Sequence, residues 1–132
     1  MMSHYNKEDL IKNRIEQAEN TIHEISILIT NGLYKTAVNR IYYGMFYMLL
    51  ALALKYNFKT SKHRQLIGWF NQNFIKPGKI NTKYGKMINY AFENRSDSDY
   101  GIFVEFTKEE VEQMHKEMKS FIDELKNLKE II

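Results

Sequence analysis

Residues 41–54 read IYYGMFYMLLALAL, fourteen positions without a charge and mostly apolar. A membrane-crossing helix needs roughly 20 such residues, so the run is read as a buried core helix and no membrane partner is expected. Just before it, Lys35, Thr36, Asn39 and Arg40 are polar on one side. The rest has no polar face, and a helix apolar all round is covered on several sides. The segment 33–56 is therefore the expected central helix. It carries more apolar surface than one small bundle hides, so part of it is expected to face a second copy in a homodimer.

Working outward, Ile11, Ile15, Ala18, Ile22, Ile25 and Ile29 step by four and three, which predicts an amphipathic helix over 7–30. Asn6 is its expected N-cap. Asn31 and Gly32, both tolerant of the left-handed conformation, end it. Downstream, Leu66, Ile67, Phe70 and Phe74 share one face of a third helix over 61–74, closed by the Pro77–Gly78 turn. Tyr84, Met87, Ile88, Ala91 and Phe92 point inward from a fourth over 81–95. Thr107 and Glu110 have capping-box spacing. They start a fifth helix whose stripe is Val111, Met114, Met118, Phe121 or Ile122, Leu125 and Leu128. Residues 96–106 are left as irregular chain. Short connections favour antiparallel neighbours, so the expected fold is an all-α, up-and-down bundle of four to five helices.

The 132 residues are the usual size of one domain, and with 44% apolar and 27% charged residues the composition is globular. A single domain over 1–132 is expected. There is no cysteine, which excludes disulfides and thiolate zinc sites and fits a reducing cytoplasm. Residues 1–10 are polar and offer no signal-like apolar stretch. A cytoplasmic location is the expectation.

Charge is unevenly spread. Between Ile25 and Phe92 there is no Asp or Glu and there are ten Lys or Arg. Residues 1–24 carry three basic and five acidic side chains, and residues 93–132 six basic and eleven acidic. A one-sided middle favours contact with a polyanion such as RNA or a nucleotide, unless the acidic outer helices neutralise it.

Most catalytic motifs are absent: no P-loop, dinucleotide fingerprint, HExxH or CxxC. His4, His23, His63 and His115 show no metal-ligand spacing, and neither metal nor cofactor is expected. Two stretches stand out. In residues 39–46, NRIYYGMF, Arg40 and Tyr43 fall on one helical face beside Asn39. Arg40 either pairs with a carboxylate at the rim of the core or binds a ligand. Residues 93–100, ENRSDSDY, gather Arg95, Asp97, Asp99 and Tyr100. Arg95 either favours a helix C-terminal dipole or grips a phosphate.

Three stretches, AVNRIYYGMF (37–46), SKH (61–63) and RSDSDY (95–100), resemble in order and spacing the HEPN superfamily. More narrowly, they resemble its small bacterial and archaeal branch with an R-x4-Y ending. The likeness spans roughly residues 8–128. It implies a helical bundle that commonly dimerises. It also implies either a metal-independent ribonuclease or the toxin half of a pair with a minimal nucleotidyltransferase. Active members resemble one another in an R-x4-6-H motif. Arg95 matches the arginine, but Tyr100 stands where the histidine is expected.

Cleavage by a neighbouring 2′-hydroxyl needs a base, an acid and a cation. Arg95 supplies the cation. A tyrosine is ordinarily a poor base near neutrality, so Tyr100 serves as an acid, a donor or a stacking platform. His63 titrates in the useful range if the fold brings it near Arg95. Asp99 acts as a base or orients an arginine, and an Arg–Asp pair between the second and fourth helices is the expected arrangement.

Two functions follow from the resemblance. One is a non-catalytic or weakly active module that binds nucleotide or RNA and partners a nucleotidyltransferase. In some such pairs the transferase modifies a tyrosine at the position of Tyr100. The other is a ribonuclease toxin acting as a homodimer. A purely structural dimer is the third reading, because fold likeness alone does not set function.

Overall fold

The computed structural model describes residues 6–100 and 104–128. Five α-helices follow one another: α1 (Lys7–Thr30), α2 (Tyr34–Lys55), α3 (His63–Phe70), α4 (Thr82–Tyr100) and α5 (Lys108–Lys126). A π-helical turn, Asn71–Ile75, continues α3. No strand occurs among the described residues, and the all-α bundle expected from the sequence is the architecture observed.

Helix α2 is the central element. It packs against α1, α3, α4 and α5, and its buried set runs from Ala37 and Val38 to Leu52 and Ala53. Among the described residues it is the one helix long and apolar enough to cross a membrane, yet 67% of its most apolar window is covered within the bundle. A Cβ on Gly44 would collide with Met118 of α5 and press on Thr21 of α1. The glycine therefore sets how closely these three helices approach.

The ends of α1 and α5 form as their sequences dictate. Asn6 accepts a hydrogen bond from the Asp9 backbone N–H at 2.8 Å. Gly32 takes φ +71° in the turn to α2. Thr107 Oγ1 accepts from the Glu110 N–H at 3.1 Å, and the Glu110 carboxylate accepts from the Thr107 N–H, completing the capping box. His115 is buried on α5 and donates through Nε2 to the Ile22 carbonyl at 3.0 Å.

Two expectations need correction. The third helix does not run unbroken to Phe74. After Phe70 it widens into the π turn, closed by the Lys76 N–H donating to the Asn71 carbonyl at 2.8 Å. This turn packs tightly on α4, where a Cβ on Gly85 would lie 2.7 Å from Asn71 Oδ1. The fourth helix does not end at Arg95 but continues through residues 96–100. Ser and Asp ordinarily favour turns by bonding nearby backbone. Here Asp99 is engaged with Arg95 one helical turn back and with Asn39 of α2, and those contacts favour the helical course. Residues 101–103 of the supposed irregular stretch lie outside the described residues.

Candidate phosphate-binding site

Three helices converge on one arginine. Arg95 sits on the last turns of α4 with its guanidinium carbon 5.2 Å from the ring centroid of Tyr42, 5.5 Å from Phe92 and 5.8 Å from Tyr43. Only 14% of its side chain is exposed. A delocalised, weakly hydrated guanidinium tolerates such aromatic walls better than an ammonium would. Arg95 Nη1 donates to Asp99 Oδ2 at 3.1 Å. Asp99 also accepts from Asn39 Nδ2 at 3.4 Å, which ties α4 to α2. Arg95 Nε is buried without a hydrogen-bond partner among the described residues, as is Arg40 Nε.

The second feature is a buried phenol. Tyr42 is fully enclosed, and its hydroxyl lies 2.6 Å from His63 Nδ1 at the start of α3. Burial drives the Tyr42 pKa far above the ordinary phenol range, against the opposing pull of Arg95. The hydroxyl therefore keeps its proton and shares a hydrogen bond with Nδ1, as donor or as acceptor according to the imidazole tautomer. Where the hydroxyl donates, neutral His63 carries its own proton on Nε2. The imidazole stacks on Phe46 at 4.2 Å between centroids, with planes 10° apart. Burial lowers the His63 pKa, and the nearby Arg95 charge lowers it further. Both effects favour the neutral imidazole, whose Nδ1 is engaged by Tyr42.

The structure brings together five of the side chains singled out from the sequence: Asn39, Tyr43, His63, Arg95 and Asp99. It leaves three apart. Arg40 turns toward α1, where its Nε lies 3.2 Å from Glu24 Oε1 and its Nη2 lies 3.5 Å from Oε2. The expected Arg–Asp bridge between the second and fourth helices is therefore not made by Arg40. Successive helical residues are rotated by about 100°, so Asn39 faces α4 while Arg40 faces α1. Asp97, two residues beyond Arg95, is exposed. Tyr100, five residues beyond Arg95, falls on a different face and is 80% exposed.

Tyr42, Phe46 and Phe92 complete the site and were not distinguished from core by sequence alone. The signal that finds them is the Asn39, Tyr42, Phe46 spacing, which marks the face of α2 turned toward α4 and α3. The Arg40, Tyr43 spacing marks a neighbouring face.

Elsewhere, a broad groove of about 780 Å³ runs between α4 and α5, with Lys83 and Lys86 on one wall and Glu109 and Glu117 on the other. It gathers none of the chemistry described above. Among the described residues no three His, Asp or Glu side chains converge as a metal-ligand set.

Comparison with known proteins agrees with this architecture. Residues 11–128 match the HEPN domain. A UPF0332 protein of Thermotoga maritima is 37% identical over 122 residues, covering 92% of each chain. Two proteins of Methanocaldococcus jannaschii, each named "putative toxin", are also similar. One is 37% identical over 89% of this chain and 88% of its own. The other is 33% identical over 85% of this chain and 76% of its own. A match spanning nearly the whole chain, together with an all-helical bundle, places this protein in the HEPN domain family.

Proposed function

We propose that this chain is a toxin–antitoxin-related HEPN module that binds RNA or nucleotide phosphate at Arg95 and works with a nucleotidyltransferase encoded as a separate chain. The toxin connection draws on the names of the two Methanocaldococcus relatives. The observation that carries the binding reading is the Arg95 guanidinium itself. It is held by three aromatic rings and one carboxylate, and its Nε donor has no partner within the described chain. A phosphate offers the oxygens that such a fork accommodates.

Binding is favoured over efficient catalysis because, among the described residues, each base near Arg95 is already engaged. Asp99 is shared between Arg95 and Asn39. Tyr42 occupies His63 Nδ1, and Tyr100 points to solvent. The exposure of Tyr100 instead suits a phenol presented to a transferase for modification.

A metal-independent ribonuclease is the second reading, favoured by one observation: His63 and Arg95 line the same aromatic pocket around Tyr42. One experiment separates the two. Purified wild type and Arg95→Ala are incubated with single-stranded RNA in EDTA, and both binding and cleavage are scored. The binding reading expects retention without cleavage, lost in Arg95→Ala. Cleavage lost in both Arg95→Ala and His63→Ala would support the nuclease instead. RNA retained unchanged by Arg95→Ala would overturn both. Label transfer from ATP to wild type but not to Tyr100→Phe, in the presence of a cognate transferase, would establish the partnership.

A further inference from the structure

Arg64, on the first turn of α3, lies with its guanidinium carbon 5.3 Å from the centroid of Phe92, the same ring that Arg95 approaches at 5.5 Å. The two guanidiniums thus share one aromatic platform. Their electrostatic situations differ. Arg95 is paired with Asp99, whereas Arg64 is exposed and makes no ion pair among the described residues. An exposed arginine beside an aromatic ring, with no carboxylate partner, keeps N–H donors for a further acceptor.

Beside Arg64 a groove of about 310 Å³ opens between α3 and α4, bounded by Gly68, Asn71, Asn89, Phe92 and Glu93. Gly68 is the telling residue. It sits inside a helix without a positive φ, and a Cβ built there meets nothing within 4 Å. A helical glycine costs about 1 kcal/mol relative to alanine, and no close packing requires one here. A side chain at position 68 would project into open space beside the groove that Gly68 lines, so a long one would reach into it. Asn71 begins the π turn, an irregularity that recurs at functional sites. The amides of Asn71 and Asn89 hydrogen-bond no other described residue, and Glu93 adds a lone carboxylate acceptor. Phe92 adds an aromatic ring. Stacking surface, amide groups and a free cation are what unpaired bases of single-stranded RNA are recognised by.

We propose that Arg64 and this groove form a second nucleotide subsite. Arg64 holds the phosphate next to the one at Arg95, and the groove beside Gly68 takes the attached base. The inference rests on the RNA-binding reading above and extends it from one phosphate to two consecutive nucleotides of a single strand.

The test is fluorescence anisotropy with a short labelled single-stranded RNA, over a range of salt, on wild type, Arg64→Ala, Gly68→Leu, Gly68→Ala and Arg95→Ala. Thermal melts of each variant control for folding. Arg64→Ala is expected to bind about tenfold more weakly and to lower the slope of log K against log salt by about 0.7, the share of one single-strand phosphate contact. Gly68→Leu is expected to weaken binding without that change of slope, because it fills the groove and removes no charge. Gly68→Ala is expected to raise the melting temperature, showing that the glycine is kept at a cost in stability. If RNA binds wild type and is lost in Arg95→Ala, while Arg64→Ala and Gly68→Leu bind as wild type does, the second subsite is refuted and the Arg95 site stands. If wild type binds no RNA, the underlying reading falls and takes the subsite with it.

Discussion

Arg40 and Arg95 both stand where a polar helix end meets apolar core, and the fold treats them in opposite ways. Arg40 lies on the α1 side of α2, 30% exposed, and its guanidinium meets both oxygens of Glu24. Arg95 lies on the α4 side, half as exposed, among three aromatic rings, and its single carboxylate is shared with Asn39. The first is a paired charge at the surface, of a kind worth about 0–1 kcal/mol. The second is a charge drawn inward with donor capacity left over. Burial of a cation costs free energy unless partners satisfy it, so the Arg95 arrangement makes sense if a further anion completes it. Arg40 Nε also makes no hydrogen bond among the described residues, so what separates the two arginines is the unshared Glu24 carboxylate and the greater exposure of Arg40.

The contrast can be broken first at the arginines. Arg95→Ala is expected to weaken RNA binding on the order of 10- to 100-fold, the range for losing charge-assisted hydrogen bonds. Arg40→Ala should stay within about twofold in the same assay. Equal losses in the two variants would erase the distinction.

The pocket wall comes next. Tyr42→Phe removes the hydroxyl that pairs with His63 Nδ1 and is expected to cost about 1–2 kcal/mol in urea denaturation. The same change releases His63 Nδ1 from that contact. Any RNA cleavage that appears in Tyr42→Phe and not in wild type would show that Tyr42 holds the histidine idle.

The acidic partners sharpen the comparison further. Asp99→Asn removes the charge that competes for Arg95 and is expected to tighten RNA binding a few-fold. Glu24→Gln should change unfolding free energy by no more than about 1 kcal/mol and leave RNA binding alone.

The smallest effect is a pH dependence. His63 and His115 both have pKa values lowered in the folded chain, chiefly by burial. Protonation therefore favours the unfolded chain. The penalty is absent well above the unfolded histidine value of about 6.5 and grows as pH falls through it. It levels off below the folded values. Melts at pH 7.5 and pH 5 should show lower stability at pH 5, with a smaller drop in His115→Gln than in wild type.

Much of this was legible in the sequence, and the parts that were not share a cause. The stripe on α1, the uncharged run in α2 and the Thr107 capping box are local patterns, and each became the expected element. Asp99 was read as part of an irregular stretch because Ser-Asp-Ser-Asp is turn-like by local propensity. Its partner Asn39 lies 60 positions away. The Tyr42–His63 contact likewise spans 21 positions, so no window of sequence contains it. Arg40 and Arg95 each admit a structural and a ligand-binding reading from their local sequence, and the family resemblance alone favours Arg95. The direction each faces is set by the packing of α1 and α4 around α2, which no local window contains.

The central claim is that Arg95, and not Arg40, is the anion-binding arginine. The most direct measurement follows arginine side-chain Nε–H signals of the ¹⁵N-labelled protein by NMR as short single-stranded RNA is added. The account predicts that the Arg95 signal moves with saturation while the Arg40 signal stays in place. An unmoved Arg95 signal, with RNA-induced shifts confined to Arg40 or to the Lys83–Lys86 groove, would contradict it.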